Sequence, residues 1–349
     1  MTEEKPKEEV ESLAKRVENL GKEIPPERDV IRDAVRDEAR GAAGEHVDFQ
    51  GQPLLKVEYE VLKEIYAQTG KKPEEHFAHE IKEGSVVYLN CFDQGLTSLP
   101  GSIGRLVNLK KLNLEKNQLV ALPDSIGNLR KLEGIYLGRN VLTSLPGSIS
   151  ELVNLTTLSL GDNKLTSLPY MRNFKKLKYF DMDYNQLTGA LLESIGELAC
   201  LEYLEAGHNR LTALPESIGN LTILHTLTIR YNNLTELPES IGNLKALSGI
   251  CAEYNRLAGL PDSVTKLEKL QELNVSHNPL TCLPASIGRL KNLVYLGIGS
   301  TKLTTLPESL ANPPHLIQLD IKGTKLDYND PKTMHVLRTL NKRGCSIYQ

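Results

Sequence analysis

The chain has 349 residues, with 41 Lys and Arg against 44 Asp and Glu and a formal net charge of −3. So small a net charge leaves no electrostatic footprint for nucleic acid or for an anionic membrane surface. Five cysteines, an odd number, argue against a disulfide scaffold, and no run of about 18 apolar residues is present to span a bilayer.

Residues 1–45 read as a charged, partly helical N-terminal arm. Its first 44 residues hold twelve acidic and nine basic side chains. Val10, Leu13, Val17 and Leu20 recur at heptad spacing, but two heptads are too few for a stable coiled coil. Pro25 and Pro26 separate them from the alternating charges of residues 28–40. Two readings stay open: a solvated arm in a monomer, and a helix that docks on a partner or on a second copy of the chain. The opening residues MTEEKPKEEV have no signal-peptide pattern, so a cytoplasmic, reducing setting is expected.

Residues 46–85 predict an N-terminal helical cap. Val57, Val61, Leu62, Ile65 and Tyr66 fall at helical spacing within residues 54–69, with Gly70 as the stop. Phe77 and Ile81 then lead to a first strand near residues 86–89.

From residue 86 to 326 one unit repeats about eleven times. A single position in that unit is filled by Gln94, Asn117, Asn140, Asn163, Asn185, Asn209, Asn232, Asn255, Asn278, Thr301 and Thr324. The interval is 23 residues except for a 22 followed by a 24 around Asn185. A fixed period of this length means a stack of small units, none able to bury its apolar face alone. Within one unit, the alternation at Leu112 and Leu114 is that of a strand with one buried face. Asn117 turns the chain inward and its amide satisfies bend groups that would otherwise lack partners. Pro123 stops the strand, and Ile126, Leu129 and Leu132 bring the return path back to the core.

These residues resemble the leucine-rich repeat family, in its 23-residue form L-P-x-S-I-G-x-L-x-x-L-x-x-L-x-L-x-x-N-x-L. That form is similar to cytoplasmic bacterial and archaeal repeat proteins and to the eukaryotic Ras-group proteins. The resemblance implies an α/β solenoid: a horseshoe with a concave parallel β-sheet and helical caps at both ends. It also implies that the concave side binds another macromolecule.

Two departures interrupt the pattern. One residue is lost after Pro169 and one is gained at residues 189–192, where Leu-Pro becomes Leu-Leu. Both fall in the return path, so the strands are expected to keep register while the convex side bulges. Thr301 and Thr324 replace Asn near the end, where a hydroxyl bonds less completely than an amide. Residues 327–349 then predict a cap helix and a last strand. Asp330-Pro331 is the start signal, Met334, Val336, Leu337 and Leu340 form the apolar face, Gly344 is the stop, and residues 346–348 form the strand.

Catalytic, cofactor and metal motifs rise nowhere above background. No Walker-type loop and no G-x-G-x-x-G between strand and helix is present, nor any C-x-x-C or H-x-x-x-H pair. Cys251 points outward, but His225 and His277 each stand three strand positions away, about 10 Å, too far to activate a thiol. The chain is therefore expected to be no enzyme and to bind no cofactor or metal.

The outward positions carry the functional signal. Just before the repeated Asn, five consecutive coils present Tyr184, His208, Tyr231, Tyr254 and His277. At strand spacing of ~4.8 Å that row would run about 20 Å. Tyr179, Asp181, Asp183, Tyr203, Glu205, Arg230 and Glu253 stand around it, with acids outnumbering bases. Ring stacking at one register also stabilises a sheet; an exposed aromatic row is nonetheless uncommon, and Tyr concentrates interface energy. The expectation is a protein-binding scaffold in intracellular signalling or assembly, its partner basic, with neither nucleic acid nor membrane involved. The alternative is an effector or regulator that recognises and modulates a partner enzyme or host protein.

Overall fold

The computed structural model describes residues 45–70 and 79–349. The predicted arm, Glu45 apart, and Phe77 thus lie outside the described residues. The chain begins with strands β1 (His46–Phe49) and β2 (Gln52–Leu55), helix α1 (Lys56–Ala67), and strands β3 (His79–Lys82) and β4 (Ser85–Asn90). Short strands follow, one or two per coil: β5 (Lys111–Asn113), β6 (Gly134–Tyr136), β7 (Thr157–Ser159), β8 (Tyr179–Asp181), β9 (Thr188–Ala190) and β10 (Tyr203–Glu205). The series continues with β11 (Arg210–Ala213), β12 (Thr226–Thr228), β13 (Gly249–Cys251), β14 (Glu272–Asn274), β15 (Tyr295–Gly297) and β16 (Gln318–Asp320). Helix α2 (Pro331–Lys342) and β17 (Ser346–Tyr348) close it.

Thirteen of these strands form one sheet, β3 to β8, β10 and β12 to β17, all parallel except β3, which lies antiparallel against β4. Pairing keeps one register, with Leu89, Leu112, Ile135, Leu158, Phe180, Leu204 and Leu227 side by side. Each coil buries the same set. In one of them Leu109, Leu112, Leu114, Leu119, Ile126, Leu129 and Leu132 are all fully buried, each worth roughly 1.5–3 kcal/mol of transfer free energy.

The asparagine ladder closes the inward turn. Asn117 Nδ2 donates to the carbonyls of Cys91 and Leu114, while Oδ1 accepts from the Leu96 amide at 3.0 Å. Asn140, Asn163, Asn185, Asn209, Asn232, Asn255 and Asn278 repeat this bonding. On the convex side most coils pass through a 3₁₀ turn such as Asp124–Asn128, in which the Ile126 amide donates to the Pro123 carbonyl; the shortened coil around Met171–Phe174 does not. The turn glycine is a packing requirement: a Cβ on Gly127 would lie 2.6 Å from the Ser148 carbonyl oxygen of the next coil.

The irregular coils keep strand register between β7, β8 and β10. The residue gained near Gly189 falls within a strand of its own. β9 pairs in parallel with β11, a separate two-stranded sheet that the repeat pattern does not announce, and Gly189 turns into it at φ +74.

The N-terminal end holds more than a helix. The β1–β2 hairpin precedes α1, which starts two residues later than residue 54 because Gln52–Leu55 pairs with β1. α1 buries Val61, Leu62, Ile65 and Tyr66. Glu58 is buried beside them and accepts the Val86 amide at 2.6 Å; burial pushes its carboxyl up to about 7. At the other end Asp330 caps α2 by accepting the Thr333 amide at 2.9 Å, Pro331 takes the first helical position, and Gly344 ends the helix region at φ +85. β17 then pairs in parallel with β16.

Candidate functional site

Each coil offers its concave side four positions. In the coil of β8 these are Tyr179, Asp181, Asp183 and Tyr184. Strand alternation cannot aim neighbours such as Asp183 and Tyr184 to the same side. The backbone explains it. Every residue from Asp93 to Ser300 in the register of Tyr184 has a φ between +50 and +57, including His208, Tyr231, Tyr254 and His277. Non-glycine residues rarely adopt this left-handed conformation, and from Lys116 to His277 the bonds of the following asparagine brace it. The aromatic row therefore sits on the bend after the strand, not on the strand itself.

The rings lie face to face. Centroids are 3.9 Å apart for Tyr184 and His208, 4.2 Å for His208 and Tyr231, 4.2 Å for Tyr231 and Tyr254, and 4.0 Å for Tyr254 and His277. Interplanar angles are between 9° and 16°. These steps are shorter than the ~4.8 Å strand spacing, so the row is tighter than the 20 Å expected. Tyr184, Tyr231 and Tyr254 remain 51%, 41% and 40% exposed, so the ladder shows its ring edges to solvent. A second, looser group packs on the strands, with Tyr179 and Tyr203 at 6.4 Å and Tyr203 and His225 at 6.1 Å.

Between the two ring groups lie the acids. Asp181 accepts from Ser159 Oγ at 3.0 Å and from the Asp183 amide at 2.9 Å. Asp183 accepts from the Gly207 amide, and Glu205 from the Tyr179 hydroxyl at 3.0 Å. Burial pushes the Asp183 carboxyl up to about 6, helped by Asp181 and Glu205, and pushes Glu205 above its ordinary range. Glycines make room for these carboxylates: a Cβ on Gly161 would meet Asp181 Oδ2 at 2.6 Å, and one on Gly207 would meet Asp183 Oδ1 at 3.3 Å. The repeat pattern marks those glycines only as outward positions; their pairing with acids one coil away becomes readable once the register is known.

Two bases temper the cluster. Lys178 pairs with Glu202 at 2.9 Å, and Arg230 Nη1 stands 3.8 Å from Glu253. Burial, and then the Arg230 guanidinium, lower the affinity of His208 for a proton. The Cys251 thiol is pushed up to about 12 by burial and by Glu272 and Glu253, the opposite of an activated nucleophile. All five cysteines are unpaired. Among the described residues no group of three or more His, Cys, Asp or Glu could hold a metal ion, and no helix is long and apolar enough to cross a membrane.

Tyr179, Asp181, Asp183, Tyr184, Tyr203, Glu205, His208, Arg230, Tyr231, Glu253, Tyr254 and His277 thus share one continuous concave surface from β8 to the end of the β14 coil. A separate open groove of about 540 Å³ lies at the N-terminal end of the same face, between Lys82, Tyr88, Lys111, Glu115 and Tyr136. The aromatic ladder does not contribute to it.

Family models match residues 96–165, described as a leucine rich repeat, and residues 162–281, described as a leucine-rich repeat region. No curated protein gives a significant match. Among solved structures, a leucine-rich repeat protein of Leptospira interrogans is 30% identical over 74% of this chain and 83% of its own, with a TM-score of 0.45. InlJ of Listeria monocytogenes is 25% identical over 69% of this chain and 50% of its own, with a TM-score of 0.61. The ectodomain of the plant membrane receptor kinase GASSHO1/SCHENGEN3 of Arabidopsis thaliana, in complex with CASPARIAN STRIP INTEGRITY FACTOR 2, is 30% identical over 66% of this chain, with a TM-score of 0.58. The chain spans only 32% of that ectodomain. With the two models together covering more than half of its residues, and the repeated asparagine ladder and parallel sheet behind them, the chain belongs to the leucine-rich repeat family.

Proposed function

We propose that the chain is a non-enzymatic scaffold that binds a protein partner on its concave face, in intracellular signalling or complex assembly, as a monomer in the cytoplasm. The observation that carries this reading is the ring ladder from Tyr184 to His277 beside the carboxylates of Asp181, Asp183, Glu205 and Glu253. Ring edges supply apolar area with polar tips, and the acids select a basic partner surface and speed its approach. The leucine-rich repeat family is one of protein-interaction scaffolds, and the GASSHO1 ectodomain carries its bound factor on this fold.

The test is affinity capture from the source lysate with the parent chain and with a Tyr231→Ala, Tyr254→Ala variant. A true anchor is worth ~2 kcal/mol or more, about thirtyfold in affinity. Capture by the parent that the variant loses supports the reading. Equal binding by both would place the partner on another surface.

A further inference from the structure

The ladder has two open ends, and they differ. Beyond Tyr184 the same register holds Asp162, a carboxylate. Beyond His277 it holds Ser300 at φ +53 and then Gly323 at φ +70, a hydroxymethyl group and a hydrogen. His277 is exposed, and the one ring stacked on it is Tyr254. In five coils a side chain leaving this left-handed backbone puts its ring 3.9–4.2 Å from its neighbour. Over Ser300 the scaffold therefore keeps the position of a sixth ring while supplying no ring for it.

The charges around this place are mostly basic. Lys302 follows Ser300 by two residues, Lys322 adjoins Gly323, and Lys325 follows it by two. All three are exposed, and none takes part in an ion pair among the described residues. One acid stands among them: Asp320, whose Oδ1 accepts the Lys322 amide at 2.9 Å and whose two carboxylate oxygens would lie 3.1 Å from a Cβ on Gly299, beside Ser300.

We propose that the outer face of His277, over Ser300 and Gly323, is a stacking site for an aromatic side chain of a peptide partner that has acidic residues beside it. The ring continues the ladder, and its neighbouring carboxylates meet Lys302, Lys322 and Lys325. This subsite deepens the reading of the concave face as a protein-binding surface. It gives that surface a polarity: basic partner groups over Asp181, Asp183 and Glu205, and an acidic aromatic group toward the C-terminal coils.

The chain contains no tryptophan, so the fluorescence of a single Trp in a probe peptide reports on the probe alone. The probes are acetyl-Glu-Trp-Glu-amide, its charge reversal acetyl-Lys-Trp-Lys-amide, and the ringless acetyl-Glu-Ala-Glu-amide as competitor. The acidic Trp peptide is expected to bind with quenched fluorescence, about tenfold more tightly than the basic one, and the ringless peptide is expected not to displace it. Ser300→Tyr is expected to abolish binding, because it fills the place with a residue that already adopts the same backbone at Tyr184, Tyr231 and Tyr254. His277→Ala should abolish it from the other side, and Lys322→Glu should weaken it most at low salt. Binding of the acidic peptide that survives both Ser300→Tyr and His277→Ala overturns the site. So does equal binding of the two Trp peptides, or no binding by either. Loss of a captured partner in the Tyr231→Ala, Tyr254→Ala variant is measured separately, so the broad reading and this subsite fail independently.

Discussion

The rings of Tyr231 and Tyr254 lie 4.2 Å apart with their planes 9° from parallel, each carried by a residue in the left-handed conformation. One side chain thus serves two ends. It stacks on its neighbours within the molecule and shows its edge to whatever approaches the concave face.

Replacing Tyr231 separates the ring from the backbone. Tyr231→Ala removes the contacts to His208 and Tyr254, each worth about 0.5–1.5 kcal/mol, while a Cβ stays in the left-handed conformation. Tyr231→Gly removes the same contacts but relieves a backbone penalty of about 1 kcal/mol. Both variants should be less stable than the parent in urea unfolding, and glycine, the smaller residue, should be the milder change. If alanine proves the more stable of the two, the left-handed backbone is not under strain.

Asp183 gives the site a pH dependence. Its folded-state value of about 6 lies above the ordinary carboxylate range near 3.9. The folded chain therefore keeps a proton that the unfolded chain has already released, and stability falls as pH rises through the window from about 4 to 6. Asp183→Asn keeps an acceptor for the Gly207 amide and removes the titration. Thermal midpoints of parent and variant should converge below pH 4 and separate above pH 6 in favour of the variant. Binding of a basic partner should move the other way in the parent, weakening as Asp183 takes up its proton.

The leucines, the asparagine ladder and the cap of α2 were legible because each rests on a side chain whose chemistry allows few alternatives. Leu112 and Leu114 must be buried, Asn117 must bond the bend, and Asp330 before Pro331 is a helix start. The left-handed residues were not. Asp93, Lys116, Tyr184 and Ser300 share a conformation but no residue type, since the bend itself requires it, whether Asn, Gln94 or Thr301 follows. The β1–β2 hairpin and the β9–β11 pair escaped for the same reason: pairing is decided by where the coils place two segments, and Thr188–Ala190 has no strand pattern of its own. Tyr179, Asp181, Tyr203 and Glu205 could be named from strand alternation, and the ring row from its place before the repeated Asn, yet the left-handed bend, the ring stacking and the glycine spaces under Asp181 and Asp183 required the register.

Glu58 makes a prediction for the N-terminal cap. Its carboxyl is 1% exposed and accepts the Val86 amide at the first coil of the solenoid. Burial raises its folded-state value to about 7, so stability at this junction falls as pH rises from about 4.3 toward 7. Glu58→Gln still offers an acceptor oxygen to Val86. Hydrogen exchange at Val86 should be slower in the variant than in the parent at pH 8, and the difference should shrink at pH 5. A variant that exchanges faster at both values would mean that the charged form is the one the cap requires.

The ladder itself can be broken and extended. Asn232 donates to the carbonyls of Ala206, Ile229 and Arg230 and accepts the buried Leu211 amide at 2.9 Å. Asn232→Ala strands that amide, at about 1–3 kcal/mol for a buried group left without a partner, while the carbonyls of Ala206, Ile229 and Arg230 keep Asn209, Asn255 and the His208 amide as donors. Thr301 occupies the same register, but its hydroxyl makes a single bond of this ladder, donating to the Ile298 carbonyl at 2.8 Å. An asparagine there has the reach to accept the Leu280 amide, as Asn278 accepts that of Leu257, and to donate to Val275 across the coil boundary as well as to Ile298. Thr301→Asn should therefore stabilise the C-terminal coils by about 1 kcal/mol, seen as slower hydrogen exchange at Leu280 with the rest of the solenoid unchanged. A destabilised Thr301→Asn would show that the last coils are shaped for the smaller side chain, and that the ladder ends at Asn278 because the backbone beyond it has already turned away.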